Sequence, residues 1–265
     1  VIVGVTAPDL RGNTPKAVKR FVKQQGSNMI YTVALDKDEA TTRAYMASHG
    51  AVGIPWAFVV GRDGRIAWIG SPLDLALDEV LPKIIAGTYD VEAAKVRADV
   101  DRRFDLVFRT LQMGQTSFAR EELIGILKVD PANELALDLL IHIYVKEERD
   151  TQGLRSWVRS HIASHHGNVA AMSRLANALC NIGDLATRMP DLALEAASIA
   201  YEASDRDDPE AIAAYACALY QIGRLDEAVS LQNEAVKGAD AAKRAALQDV
   251  LDYYNRCKEL RTTTD

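Results

Sequence analysis

The pattern of apolar and polar positions changes near residue 90. Before that point, short runs rich in β-branched residues alternate with segments in which apolar residues recur every three or four positions. After it, the helical periodicity continues to the end of the chain, and Gly, Asp and Pro separate segments of helix length. The sequence therefore predicts an α/β domain over residues 1–90 and an all-α domain over residues 91–265.

The first domain contains a proline-led strand, a tight turn and a second strand over residues 53–70. Gly64 supplies the positive φ that a tight hairpin turn requires. A proline at the head of a buried strand must occupy a position where no ladder N–H is needed. We therefore expect a cis peptide bond between Ile54 and Pro55, because cis proline is typical of tight, specific turns.

Two helices are predicted before residue 53. Thr14 can cap the first, Pro15 suits its first position, and Gly26 is a natural stop. The second is predicted over residues 38–49, where the carboxylate of Asp36 favours the positive end of the helix dipole.

The order of these segments resembles the redoxin family, which comprises TlpA-like thiol-disulfide oxidoreductases and their peroxiredoxin relatives. The run 1–5 is similar to the strand that follows the family's catalytic helix, and 53–70 is similar to its cis-proline loop and hairpin. The resemblance implies a thioredoxin-like α/β fold with a substrate-binding loop at Gly53, Ile54, Pro55 and Trp56. In that loop Ile54 would offer its backbone to an extended peptide, and Pro55 would pack beside the reactive thiol.

The role of this loop has a second interpretation. The alternative to the substrate loop, which we favour, is a purely structural turn at the entry of a strand. Trp56 also departs from the Thr that is common after this proline in the family, and we expect it to be a core aromatic.

The family's catalytic cysteine is absent from the first domain. In the family it belongs to a Cys-x-x-Cys pair or is a single peroxidatic cysteine, at a helix N-terminus that lowers the thiol pKa. That helix precedes the strand beginning at Val1, and the cysteines of this chain are Cys180, Cys217 and Cys257. We expect residues 1–90 to be the C-terminal portion of a redoxin domain, with an incomplete sheet that lacks a central strand. A redoxin that never had the motif is the alternative.

The second domain has the organisation of helical-hairpin repeats. Its clearest unit runs from Pro209 to about Ala239, with Gly223 at the turn and small residues such as Ala216 and Ala228 along its helices. This unit resembles a tetratricopeptide repeat, in which small residues allow the paired helices to approach closely.

Three weaker units precede it, and a terminal helix follows. The preceding unit covers 172–204, with a turn from Gly183 to Pro190 that is longer than the consensus. The others are 132–164 and 99–129. Because a repeat cannot bury its apolar face alone, we expect the units to stack and residues 241–260 to cap them.

Composition limits the possible functions. A net charge of −6 and a pI near 5.5 exclude a basic nucleic-acid surface, and no apolar run approaches the ~18 residues that span a bilayer. The three cysteines lack metal-ligand spacing, and we assign no redox role to Cys180 or Cys217. His161, His165 and His166 are interpreted as residues of a helix end that complement its dipole. No cofactor or metal is implied, and the compartment stays open.

Two hypotheses of function follow. The first is a fragment of a thiol-disulfide oxidoreductase of the redoxin type, fused to helical repeats, whose parent protein acts on a disulfide or peroxide. The alternative is a non-catalytic scaffold in which the repeats bind a protein partner. A Cys-x-x-Cys upstream of Val1 would favour the first hypothesis.

Overall fold

The computed structural model describes residues 1–8, 12–49 and 54–264. The chain divides into two compact units, Val1–Glu92 and Ala93–Asp265. Helices dominate both units, and within the described residues strands occur only in the first.

The described residues of the first unit form four short strands and two regular helices. In chain order they are β1 (Val3–Thr6), α1 (Pro15–Gln25), β2 (Thr32–Leu35), β3 (Ala57–Val60), β4 (Ile66–Gly70) and α2 (Leu75–Ala86). β1 and β2 pair in parallel, with Val3 opposite Thr32. β3 and β4 form an antiparallel hairpin, with Ala57 opposite Gly70.

The described strands form two separate two-stranded sheets instead of one thioredoxin-like sheet. Two isolated pairs do not establish a thioredoxin-like domain, so the incomplete thioredoxin-like sheet expected for residues 1–90 stays a prediction. Among the described strands, none pairs with members of both sheets.

The first unit has few buried side chains. Val3 and Val5 on β1 and Phe21 on α1 each keep 50% of their surface exposed. A cavity of about 520 Å³ is bordered by α1, β1 and β2. Among the described residues of this unit only Asp36 is buried, so the described part of the unit contains no buried apolar core.

The predicted ends of α1 are confirmed. The Thr14 hydroxyl accepts a hydrogen bond from the Ala17 amide at 3.2 Å, and Pro15 is the first helical residue. Gly26 ends the helix with φ of 52°, a conformation that glycine adopts without strain.

The helix predicted over 38–49 is irregular. Asp38 and Glu39 have φ of 55° and 56°, so a continuous helix cannot begin there. The Asp36 carboxylate instead accepts hydrogen bonds from the amides of Thr41 and Thr42 at 2.7 and 2.8 Å. These bonds, that from Thr41 first, lower the pKa of Asp36 to about 2. Asp36 therefore binds amides of the first helical turn, as predicted, but the helical residues begin at Ala40 instead of residue 38.

The second unit consists of nine helices within the described residues. They are α3 (Val91–Gln112), α4 (Thr116–Val129), α5 (Glu134–His142), α6 (Thr151–His165), α7 (Val169–Cys180), α8 (Pro190–Ala203), α9 (Pro209–Gln221), α10 (Leu225–Gly238) and α11 (Ala241–Thr264). The first residues of α3 belong to the preceding unit, and a π-helical turn over Ile143–Glu147 extends α5.

The helices pack as successive hairpins. α7 lies against its partner α8 and against α9 of the next hairpin, while α10 packs on both α9 and α11. Fully buried small residues form these contacts, including Ala176, Ala196, Ala216, Ala228 and Ala235. The predicted repeats and the terminal capping helix are confirmed.

The long turn of the third hairpin is fixed to the fourth. It covers residues 181–189, and Met189 is 1% exposed. The Arg188 guanidinium donates to the Ile182 carbonyl at 2.8 Å and to Gln221 Oε1 at 3.1 Å. The turn is therefore longer than the consensus, as predicted, and it is held by polar contacts to α9.

Substituting Ala228→Leu should destabilise the second unit by about 1–3 kcal/mol, because its methyl group is 0% exposed and a larger side chain would separate the helices. The measurement is urea unfolding followed by circular dichroism. Ala246→Leu, at an exposed site of α11, should change the free energy of unfolding by less than about 0.5 kcal/mol. Equal effects of the two substitutions would contradict close packing at residue 228.

Candidate functional site

The loop that the sequence singled out is only partly described. The Ile54–Pro55 peptide bond is cis, as predicted. Ile54 is 87% exposed and Trp56 is 38% exposed, so the expectation that Trp56 is a core aromatic is wrong. Gly53 lies outside the described residues. Residues 1–90 contain no cysteine that could lie beside the loop.

A row of charged side chains crosses the first helices of successive hairpins. Glu134 on α5 pairs with Arg174 on α7. Arg174 also lies 3.7 Å from a carboxylate oxygen of Glu210 on α9, and Glu210 pairs with Lys243 on α11. We call Glu134, Arg174, Glu210 and Lys243 the charge ladder. Its side chains alternate in charge and link α5, α7, α9 and α11 on one face of the stack.

A small pocket of about 70 Å³ lies beside the charge ladder, between α5 and α7. Its lining comprises two apolar residues and five polar ones: Leu137, Ala178, Glu134, Asp138, Arg174, Asn177 and Asn181. Desolvation and then the neighbouring Glu134 carboxylate raise the pKa of Asp138. The carboxylate of Asp138 is thus held in a setting that favours a cation beside it.

The pocket therefore has the chemistry of a cation-binding subsite. A carboxylate and two amide oxygens accept hydrogen bonds, and a lysine ammonium or an arginine guanidinium donates three or more. Arg174 does not dominate the pocket, because it is paired with Glu134 and lies near Glu210.

The rings of His161 and His165 are in contact at the end of α6, with centroids 4.6 Å apart, but the two residues differ in burial. His165 ends α6, but His161 lies one turn earlier and is 5% exposed, with its ring 4.9 Å from that of Trp157. Burial lowers the pKa of His161 to about 4, although its ring interacts with the Pro131 carbonyl. The interpretation of His161 as a dipole-complementing residue is therefore wrong.

Two of the cysteines lie in the last two repeats, and the third lies on the terminal helix α11. Cys180 and Cys217 lie on the adjacent helices α7 and α9, and both belong to the apolar core. Cys257 on α11 has its Sγ 3.7 Å from the Tyr220 hydroxyl.

Sequence reasoning missed the charge ladder, although one signal was present. Glu134 and Arg174 are 40 residues apart, the same spacing that separates Gly183 from Gly223. Residues at the repeat spacing lie on the same side of stacked units, so charges of opposite sign at that spacing predict a contact.

Comparisons with known proteins agree with this architecture. A family model described as tetratricopeptide repeat matches residues 106–240. No curated protein matches the chain.

Similar solved structures include three MamA chains. The MamA RS-1 ArsTM double mutant is 16% identical, with a TM-score of 0.38, over 62% of this chain and 88% of that one. A crystal structure of MamA protein is 15% identical, with a TM-score of 0.32, over 60% and 88%. A further MamA crystal structure is 19% identical, with a TM-score of 0.32, over 63% and 95%.

The buried, neutral His161 should make stability depend on pH. Its pKa falls from 6.5 to about 4 on folding, so the unfolded chain binds more protons within this window. Stability should therefore fall as the pH drops from 6.5 towards 4 and level off below. In His161→Gln the loss between pH 7 and 4.5, measured by urea unfolding, should be smaller by about 2 kcal/mol. His142→Gln, at an exposed position, should retain the wild-type slope.

Proposed function

Because the chain belongs to the tetratricopeptide repeat family, we propose that it is a protein-interaction scaffold whose first helices bind an extended segment of a partner. The observation that carries the proposal is the face formed by α5, α7 and α9, where the charge ladder and the adjacent pocket lie. A stacked array offers such a face over several repeats, so one segment can contact more than one of them.

The partner segment is expected to carry a basic side chain. The pocket contains Asp138, whose pKa is raised, together with the amides of Asn177 and Asn181. A lysine or arginine entering it would pair with the Asp138 carboxylate and contact both amides. The net charge of the chain, −6, adds a long-range attraction for a basic partner.

No helix of the described residues is long and apolar enough to cross a membrane. The apolar floor of the pocket, formed by Leu137 and Ala178, suits the methylene stem of a long basic side chain.

Selection of phage-displayed random dodecapeptides on the full chain should enrich sequences with Lys or Arg. The affinity of an enriched peptide, measured by fluorescence anisotropy, should fall at least about tenfold in Asp138→Asn, because the ammonium loses its carboxylate partner. Asn177→Ala and Asn181→Ala should weaken binding less. Selected peptides should also lose affinity with rising salt concentration.

The matched control is Asp249→Asn, which removes the same charge from an exposed position of α11. It should leave the affinity within about twofold, since exposed charges at a distance are screened. Enriched peptides that bind all four variants and the wild-type chain equally would contradict the assigned surface.

A second candidate function concerns the first unit. We propose that residues 1–90 derive from a redoxin domain, with Ile54, Pro55 and Trp56 in its substrate-binding loop. The parallel pair β1–β2 and the antiparallel hairpin β3–β4 support this proposal, because both pairings suit the family's sheet. The parent protein would then be a thiol-disulfide oxidoreductase.

The chain as given should not reduce insulin disulfides with dithiothreitol as electron donor above the uncatalysed rate. The reason is that residues 1–90 contain no cysteine to act as the nucleophile. Turbidity from the precipitating insulin B chain reports the reduction. Reduction that persists in a Cys180→Ser, Cys217→Ser, Cys257→Ser triple variant would show that other groups perform the chemistry.

A further inference from the structure

Two cysteines from different repeats meet where α7 ends. Cys180 is the last residue of α7. The Gln221 side chain, at the end of α9, donates to the Cys180 carbonyl at 3.0 Å, so this face of α9 contacts the end of α7. Cys217 lies four residues before Gln221 and therefore on the same face of α9.

The two thiols are close enough to perturb each other's titration. Their hydrogen-bonding interaction raises the pKa of Cys180 and lowers that of Cys217, and burial raises the Cys180 pKa further. The Arg188 guanidinium favours the thiolate form of both, and the Tyr254 hydroxyl favours that of Cys217. Cys180 is 5% exposed, whereas Cys217 is half-buried. Cys217 is thus the more accessible member of the pair.

We propose that Cys180 and Cys217 form a reversible disulfide that joins α7 to α9 when the protein meets a small hydroperoxide. This modification is independent of partner binding and of the redoxin hypothesis for the first unit. It gives the repeat domain a redox-sensitive crosslink between its third and fourth hairpins.

The reaction proceeds in two steps with hydrogen peroxide as oxidant. The Cys217 thiolate attacks one peroxide oxygen, the O–O bond breaks, and the leaving hydroxide takes a proton to become water. Cys217 is now a sulfenic acid. Cys180 Sγ loses its proton and attacks the Cys217 sulfur, the S–O bond breaks, and a second water leaves. Two thiols and one peroxide thus give one disulfide and two waters.

Arg188 supplies a positive charge that favours the thiolate form of both cysteines. Its guanidinium is held by the Ile182 carbonyl and by Gln221 Oε1, at 2.8 and 3.1 Å, within the long turn. A fixed cation near a thiol stabilises the attacking thiolate. Cys257 has a different neighbour, the Tyr220 hydroxyl, and is not the expected partner.

The test treats the folded full chain with excess hydrogen peroxide, blocks remaining thiols with iodoacetamide, and maps tryptic peptides without reduction. Two of the three free thiols should disappear, and the intact mass should fall by about 2 Da before blocking. Peptide 175–188 should be joined to peptide 207–224, with Cys257 alkylated. Dithiothreitol should restore both thiols.

Variants and a denatured control separate the proposal from non-specific oxidation. Cys257→Ser should form the same crosslink to the same extent, and Cys217→Ser should form none. The chain oxidised after unfolding in concentrated urea should yield a mixture of disulfides among the three cysteines. Three alkylatable thiols after treatment of the folded protein, a crosslink through Cys257, or sulfinic acid at Cys217 without a disulfide would each overturn the proposal.

Discussion

Contact between successive hairpins is the interaction on which the second unit depends. Each hairpin has an apolar side that its own two helices cannot cover, and the next hairpin covers it. Alanines such as Ala176 and Ala216, both 0% exposed, let the helices approach closely enough for these contacts. The last apolar side meets α11, where Tyr254 is 3% exposed and stacks on Tyr220 with ring centroids 4.7 Å apart.

The same stacking produces the candidate surface. Because α5, α7 and α9 lie side by side, charges that are 40 residues apart in sequence, such as Glu134 and Arg174, come into contact. The long turn after α7 adds a second kind of link, since Arg188 and Gln221 connect the third hairpin to the fourth. The first unit contrasts with this arrangement, because its strands pair only two by two and leave Val3 and Val5 half exposed.

Local signals in the sequence predicted much of the fold. The cap at Thr14, the proline at helix start and the glycine stops act over a few residues, and periodicity distinguished helices from strands. Asp38 and Glu39 were misassigned because their left-handed conformation depends on how Asp36 binds the amides of Thr41 and Thr42. The redoxin fold expected for residues 1–90 rested on a resemblance, and two isolated strand pairs do not establish it.

The candidate site was less predictable, since its residues come together only through stacking. His161 was assigned to a helix end because its neighbours in sequence, His165 and His166, lie there, whereas the fold buries its ring beside Trp157 and near the Pro131 carbonyl. Cys180 and Cys217 likewise showed no spacing motif, because their contact crosses from one repeat to the next.

Hydrogen exchange with and without a selected basic peptide tests the central claim most directly, because it locates the bound segment without any substitution. The account predicts slower amide exchange in α5 and α7 around Asp138 and Asn177, with smaller changes in α6 and α8. Protection confined to residues 1–92, or to α6, α8 and α10, would contradict the assignment of the first helices as the binding surface.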